Sequence, residues 1–151
     1  MRIGLISDTH GLLRPEAVQA LAGVEQIIHA GDVGAADVIG RLRAIAPVHA
    51  VRGNNDRGPW ASALPDRLEL EWVGVRIQVL HDLKELESGP AASGFQVVIA
   101  GHSHKPGIAE RGGVLFVNPG SAGPRRFKLP VTVGFLILAS GAARAEIRPI
   151  V

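Results

Sequence analysis

Five short apolar segments of this chain are each followed within a few residues by a side chain that can bind a metal ion, and this pattern constrains the fold most. Short β-branched apolar runs bounded by Gly, Pro, Asn or Asp predict strands. In an open α/β sheet, ligands bind outside the carboxyl ends of the strands. We therefore predict that five strand ends meet at one cleft. The side chains concerned are Asp8, His10, Asp32, Asn54, His81, His102 and His104.

The same apolar pattern gives the order of the elements. The predicted strands are Arg2–Ser7, Gln26–His29, Val48–Val51, Leu68–Trp72, Val75–Leu80, Gln96–Ala100, Val114–Val117, Val133–Leu138 and Arg144–Ile150. The predicted helices are Pro15–Ala22, Ala35–Ile45 and Leu83–Ala92. Proline is favoured at the first position of a helix, and the second helix repeats its apolar residues about once per turn. The β-α-β-α-β opening predicts an α/β fold, in one domain spanning residues 1–151.

Composition excludes several classes of protein. Hydrophobic residues make up 46% of the chain and charged residues 20%, as in compact globular proteins rather than disordered ones. The chain has no cysteine, so a disulfide framework, a thiolate zinc site and a cysteine nucleophile are excluded. The opening MRIGLISD is too short for a signal peptide, and no apolar run approaches the ~20 residues of a membrane helix. We expect a cytoplasmic protein without a membrane partner.

The candidate ligands gain their meaning from their order rather than from any one residue. An Asp after a strand is most often a helix cap or turn residue. His29 and His49 lie within strands, so we expect them to be packed or hydrogen-bonded rather than ligating. Together, however, two acids, one amide and four imidazoles form an O/N donor set that suits divalent Mn, Fe, Co or Zn.

The ordered motifs resemble those of the calcineurin-like metallophosphoesterases. The residues that carry the resemblance are Asp8-Thr-His10, Gly31-Asp32, Gly53-Asn54, His81 and Gly101-His-Ser-His104. The segment Asn118-Pro-Gly-Ser121 and the length resemble the small bacterial and archaeal phosphodiesterase branch that includes Vps29. The resemblance covers essentially the whole chain, and it implies a four-layer α/β/β/α sandwich with a two-metal site.

The resemblance also implies a role for each ligand. One ion would be held by Asp8, His10, Asp32 and His104, and the other by Asp32, Asn54, His81 and His102. Asp32 would bridge two divalent ions, with Mn expected first and Fe, Co, Ni or Zn as alternatives. At a strand end, an i, i+2 spacing sends both side chains of such a pair to one side. The two histidines of the last motif must nevertheless reach different ions, so the loop has to bend, and Gly101 would supply the freedom.

The implied activity is hydrolysis of a phosphodiester bond by a hydroxide that bridges the metals. Asp32, His81 and Asn55 are the expected catalytic residues. Asn55 is a departure, because many members of the family carry His at this position, where it protonates the leaving oxygen. An amide donates a hydrogen bond but is not a proton acid. We therefore expect substrates with good leaving groups to be hydrolysed best.

Three further residues have two interpretations each. Asp82 stands where the family usually has Gly, and it either orients a ligand histidine or, as we favour, caps the next helix. Asp56 is either a turn residue or a partner of a ligand. Arg125 lies in the segment Asn118–Arg126, which either only joins two strands or borders the cleft and holds the substrate phosphate.

Several other functions compete with this one. The first is a Vps29-like protein-binding scaffold with a weak or inactive metal site. A metallo-β-lactamase-like site is excluded because Lys105-Pro106 follows His104, and a serine hydrolase is excluded because no G-x-S-x-G occurs. Nucleic-acid binding would rest on Arg125, Arg126 and Lys128, but the net charge is only +2.

The partners that the sequence predicts follow from the implied activity. We expect a phosphodiester substrate, either a small molecule or a nucleotide, and a homodimer or higher oligomer is compatible with the sequence. With two Trp and no Tyr, no aromatic platform for stacking a base is evident.

Overall fold

Two five-stranded sheets form the framework of the computed structural model, which describes residues 1–86, 89–91 and 93–151. The strands are β1 (Arg2–Ile6), β2 (Gln26–His29), β3 (Val48–Ala50), β4 (Arg67–Trp72), β5 (Val75–Leu80), β6 (Val97–Ile99), β7 (Gly107–Arg111), β8 (Val114–Asn118), β9 (Thr132–Ala139) and β10 (Ala142–Pro149). The helices are α1 (Pro15–Ala20), α2 (Ala36–Arg43) and α3 (Pro59–Ser62), with a 3₁₀ turn over Leu83–Glu85. None of the described helices is long and apolar enough to cross a bilayer.

Each sheet has a parallel centre and antiparallel additions. The first sheet has the order β10-β9-β1-β2-β3, in which β1, β2 and β3 run parallel. The second has the order β4-β5-β6-β8-β7, in which β5, β6 and β8 run parallel. The carboxyl ends of the parallel strands of one sheet thus lie at one edge of that sheet, where ligands bind in α/β folds.

The sheets pack face to face through an apolar core. Leu5 and Ile28 of the first sheet belong to the same buried cluster as Ile77 and Ile99 of the second, and all four are fully buried. Burial of each such side chain contributes about 1.5–3 kcal/mol. A second cluster joins the first sheet to α1 and α2, and a smaller one lies on the other face of the second sheet. The predicted α/β class is confirmed, with two sheets packed face to face and α1 and α2 covering the first.

The predicted elements agree with the structure except at three places. All nine predicted strands form, with ends within two residues of the prediction. The prediction missed α3 and also β7, an edge strand that is exposed along its whole length and so lacks apolar alternation. Over the described residues the helix predicted for 83–92 is wrong: a single 3₁₀ turn forms at Leu83–Glu85, while Glu87, Ser88 and Ala92 lie outside the described residues. Pro90 accounts for this, since proline disfavours helical geometry at the residue before it.

Candidate metal centre

The loops after β1, β2, β3, β5 and β6 meet between the two sheets, as the sequence predicts. Within the first sheet, the backbone N–H of His10 donates to the Asp32 carbonyl at 2.9 Å. Within the second, the Gly101 N–H donates to the His81 carbonyl at 2.9 Å. Between the sheets, the His102 N–H donates to Asp8 Oδ2 at 3.1 Å. With the contacts of Asn54 to His102 and of His104 to Asp8, these bonds bring all seven predicted ligand residues to one cleft.

The first group of side chains surrounds the buried carboxylate of Asp8. Its Oδ1 lies 3.4 Å from His104 Nε2 and 3.9 Å from His10 Nε2, and these two nitrogens are 3.3 Å apart. Its Oδ2 accepts a hydrogen bond from Ser7 Oγ at 2.7 Å. Within residues 1–86, 89–91 and 93–151, Oδ1 itself has no hydrogen-bond partner. A buried carboxylate oxygen without a partner is costly, and a cation would relieve that cost.

The second group surrounds His81. Its Nε2 lies 3.3 Å from Asp32 Oδ2 and 3.4 Å from His102 Nδ1. The same nitrogen of His102 is 3.2 Å from Asn54 Oδ1. Asp32 Oδ2 is also 3.7 Å from His10 Nε2, so this carboxylate lies between the two groups. The donor atoms of both groups are carboxylate, amide and imidazole, which fit a divalent transition metal.

His81 and Asp32 are both charged and form an ion pair when no metal is bound. Burial opposes a charge on His81, but hydrogen bonds to Asp32 and to the Ala30 carbonyl outweigh it, and together with nearby Asp8 they raise the pKa of His81 to about 9. Burial likewise opposes ionisation of Asp32, yet hydrogen bonds from His81 and Asn55 hold its pKa below the usual range. The His81 Nδ1–H donates to Ala30 O at 2.7 Å and leaves Nε2 directed at the carboxylates. A metal ion would have to displace the Nε2 proton.

The loops adopt a backbone geometry that strand alternation does not predict. Five predicted ligands have left-handed backbone, with φ between 46° and 70°: Asp8, His10, Asp32, His102 and His104. Asp and His tolerate this region better than most residues, and such strain gathers at functional sites. The i, i+2 pairs therefore reach the cleft because the loops curl. The strand-based reason given for Asp8 and His10 is wrong, whereas the bend expected in the loop of His102 and His104 is present.

Gly101 and Gly53 are needed because neighbouring side chains leave no space for a Cβ, not because of unusual backbone angles. Gly101 does not have positive φ, so the predicted role of its backbone freedom is wrong. A Cβ at Gly101 would collide with Ser7 Oγ and Asp8 Oδ2. A Cβ at Gly53 would collide with the Asp32 carboxylate. Both positions exclude a side chain because the carboxylates occupy that space.

Hydrogen bonds of Asp56 connect the loop after β2 to the loop after β3. Its carboxylate accepts hydrogen bonds from the backbone N–H groups of Gly53, Val33 and Gly34 at 2.9, 3.2 and 2.9 Å. Both loops carry predicted ligands. Of the two interpretations of Asp56, the structure favours a structural partner of the ligand loops.

His29 is hydrogen-bonded inside the protein, as the sequence predicts. The Gly31 N–H donates to its Nδ1 at 3.1 Å, so the proton is on Nε2, which lies 3.0 Å from Thr9 Oγ1. The Thr9 hydroxyl in turn donates to Val33 O at 2.8 Å. Complete burial lowers the pKa of His29 to about 4 and keeps it neutral. His49, the other histidine expected to be non-ligating, lies 2.8 Å from Gln26 Oε1.

Asn55 and Asp82, the two departures from the family pattern, both contact ligands. The Asn55 backbone N–H donates to Asp32 Oδ1 at 2.9 Å, and its side-chain amide donates to Oδ2 at 3.0 Å. Asp82 caps the 3₁₀ turn by accepting from the Lys84 N–H at 3.0 Å, and its carboxylate is also 3.6 Å from His102 Nε2. A contact therefore supports each interpretation of Asp82, as a helix cap and as a residue that orients a ligand histidine.

The segment from Asn118 to Arg126 borders the cleft. The Asn118 amide donates to Gly101 O at 3.0 Å and to Ser103 Oγ at 3.1 Å, and Ser121 Oγ donates to Asp8 O at 3.1 Å. Arg125 itself is exposed.

Three residues near the cleft escaped the sequence analysis. Ser7 binds the Asp8 carboxylate, and its position directly before that Asp was a usable signal. Arg14 is half-buried and donates from Nε to Gly123 O at 3.2 Å. Phe127 is 88% exposed with φ 54°, so one aromatic ring faces solvent.

Comparison with known proteins assigns the family. The calcineurin-like phosphoesterase superfamily domain matches residues 1–141, and the chain belongs to this superfamily. The expectation of a phosphoesterase is thereby confirmed.

Individual relatives agree with this assignment. The chain is 38% identical over 133 residues to a probable metallophosphoesterase of Methanothermobacter thermautotrophicus, which covers 80% of this chain and 77% of the relative. It is similar to the structure of an archaeal phosphodiesterase, with 28% identity, a TM-score of 0.81, and coverage of 98% and 100%, which confirms the predicted metallophosphoesterase fold. Vps29 of Chaetomium thermophilum shares the fold at 19% identity, with a TM-score of 0.80 and coverage of 98% and 96%.

Proposed function

We propose that this protein is a two-metal phosphodiesterase. One ion would be held by Asp8, His10, Asp32 and His104, and the other by Asp32, Asn54, His81 and His102. The first group described above matches the first set, and Asn54, His81 and His102 lie together in the second, while Asp8 Oδ1 also lies 3.8 Å from His81 Nε2. Mn²⁺ is the ion we expect first, and Fe, Co, Ni and Zn suit the same donors.

The observation that carries the proposal is the unpartnered Asp8 Oδ1. Among the described residues this buried oxygen has no hydrogen-bond donor, yet three imidazole Nε2 atoms lie 3.4–3.9 Å from it, those of His104, His81 and His10. Imidazoles and a carboxylate spaced just beyond hydrogen-bond distance suit bound cations better than direct bonds among themselves. His104 and His10 would share one ion with Asp8, and His81 would bind the neighbouring ion.

Two bound divalent ions would supply positive charge that activates water and stabilises the phosphoryl oxygens. The chain's own residues would set the geometry around them. Asn55 fixes both oxygens of Asp32, and the Ala30 carbonyl fixes the ring of His81. Such outer partners orient ligands and tune their basicity.

The position of the Asn55 amide bears on the substrate. Because it donates to Asp32, it neither carries an acidic proton nor points freely to a leaving oxygen. We propose that diesters with good leaving groups, such as aryl esters, are hydrolysed faster than alkyl esters. General acid catalysis typically contributes about 10²–10⁴-fold, and the alkyl substrates would lack that contribution.

The test joins metal content to activity. The protein is stripped with chelator, reloaded with Mn²⁺, and assayed on bis(p-nitrophenyl) phosphate. About two ions per chain, with activity that vanishes on chelation and returns on reloading, supports the proposal. Well below one ion per chain overturns it.

A protein-binding scaffold is the second candidate, because the fold is shared with Vps29. Chelation separates the two functions, since an enzyme loses activity whereas a scaffold retains its partner. The complete ligand set favours the enzyme.

A further inference from the structure

A pocket of about 500 Å³ opens on the outer face of the second sheet, beside the metal centre. Sites for small molecules typically measure roughly 300–1,000 Å³ and are mostly apolar with a few polar groups. This pocket has that composition. Its apolar lining includes Val98, Ala100, Ile108, Ala109 and Phe116.

The pocket follows from how the sheet is built. Val98 and Phe116 belong to the apolar cluster on the outer face. Ala109 pairs with Phe116 across β7 and β8, so it lies on the same face. The 3₁₀ turn at Leu83–Glu85 contributes one wall. Because Ala109 is small and Phe116 is large, the space lies over the alanine and beside the ring.

His102 connects the pocket to the metal centre. It lines the pocket, while its Nδ1 lies 3.2 Å from Asn54 Oδ1 and 3.4 Å from His81 Nε2 within the centre. Asp82 also lines the pocket and lies 3.6 Å from the other ring nitrogen of His102. Ser103, next along the loop, is held at the rim by the Asn118 amide. A phosphate at the metals would therefore have this pocket within reach of its ester group.

We propose that the pocket binds the organic group of the substrate and selects an apolar, aryl-type ester group next to the phosphate. This inference rests on the proposed function. The Phe116 ring supplies an aromatic surface that is already faced by the Arg111 guanidinium, 4.7 Å from the ring centroid. Apolar walls exclude water from a bound ring and favour it over a methyl group.

The test uses two inhibitors with the same anionic head, phenylphosphonate and methylphosphonate. Their binding to the Mn²⁺-loaded protein is measured by calorimetry. We expect phenylphosphonate to bind about 10–100-fold more tightly, the range by which apolar pockets discriminate small apolar groups. Hydrolysis of phenyl and methyl p-nitrophenyl phosphate, which share a leaving group, should show the same preference in kcat/KM.

Ala109→Leu fills the pocket without touching the metal ligands. It should reduce the phenyl preference to less than about threefold in both assays and leave methylphosphonate binding unchanged. Glu110→Leu is the matched control: it adds a leucine at the neighbouring exposed position, on the opposite face of β7, and should keep the preference. Phe116→Leu removes the aromatic ring that pairs with Ala109 across β7 and β8. It provides a second test of the phenyl preference if Ala109→Leu folds poorly.

The alternative location is a more open depression lined by Ser103, Lys105, Phe127 and Lys128. If Phe127→Ala abolishes the phenyl preference and Ala109→Leu does not, the inference is overturned. Equal binding of both phosphonates by the parent protein also overturns it. Failure of the proposed function looks different, because neither phosphonate would then bind in a metal-dependent way.

Discussion

The two halves of the candidate metal centre differ in exposure. In the half around Asp8, the side chains of Asp8, His104 and His10 are 0%, 3% and 23% exposed, and His81 of the other half is 5% exposed. In the half around Asn54, the His102 side chain is 42% exposed and Asn54 lies at the surface. Electrostatic attraction is stronger where water is excluded. The comparison teaches that one ion should be held tightly within the framework and the other exchangeably at the cleft mouth.

The largest effect is expected where the halves meet, at Asp32. Asp32→Asn removes the carboxylate that lies between both groups, so both ions should weaken. We expect less than one ion per chain after dialysis and a loss of diesterase activity greater than the roughly 10–100-fold caused by losing an outer partner. Elemental analysis and steady-state kinetics measure these values. Asp37→Asn, an exposed acid in the first turn of α2, is the control and should change neither.

Two variants each disrupt one half of the metal centre. Asn54→Ala should leave about one ion per chain after dialysis, because the buried half stays intact. Asp8→Asn should leave less than one ion per chain, because it removes the carboxylate of the tighter half and the weaker ion dialyses away, but it should retain more metal than Asp32→Asn. Metal content of the two proteins, prepared side by side, decides the matter. Equal loss in both would show that burial does not rank the two ions.

Asn55 tests how the exposed half contributes to chemistry. Asn55→His restores a proton donor and should raise the rate on alkyl diesters by up to about 10²-fold, with a smaller change on aryl diesters. The measurement is the ratio of alkyl to aryl kcat/KM at constant metal content. Asn55→Ala is the control for the lost hydrogen bonds to Asp32. An unchanged ratio in the histidine variant would contradict the link between Asn55 and leaving-group preference.

The smallest expected effect is the pH dependence of stability that His29 causes. His29 has a pKa of about 4 when folded and about 6.5 when unfolded, so the unfolded chain binds more protons between these values. The stability that His29 contributes should therefore fall as pH drops below 6.5, by about 2 kcal/mol between pH 7 and pH 5. It is measured as the difference between the parent and His29→Gln, because the raised pKa of His81 changes stability in the opposite direction. Urea unfolding of the metal-free protein measures this. His29→Gln cannot titrate, so a pH dependence identical to that of the parent would exclude His29 as the cause.

Much of the site could be predicted because each ligand follows an apolar strand. Parallel strands bring their carboxyl ends together, so the order of Asp8, Asp32, Asn54, His81 and His102 along the chain was enough to predict one cleft. The left-handed backbone at Asp8 and His104 was hidden, since Asp and His also occupy ordinary turns. The target of the Asn55 amide depends on loop contacts with Asp32, which no local pattern encodes.

In the fold, too, some features follow from a local sequence pattern, and others depend on contacts between distant residues. The buried strands were predicted because their apolar runs are continuous, whereas β7 escaped because an exposed edge strand needs no apolar residues. The pocket over Ala109 arises from a contact between strands and from the short turn at Leu83–Glu85. Neither feature is visible in a window of sequence.

The most direct test of the central claim is a calorimetric titration of metal-stripped protein with Mn²⁺. Two ions per chain, the first bound at least about tenfold more tightly than the second, is the result we predict, because one half is buried and the other exposed. In Asn54→Ala the tight step should remain and the weak step should disappear. A single step of one ion per chain or fewer in the parent protein would contradict the two-metal account.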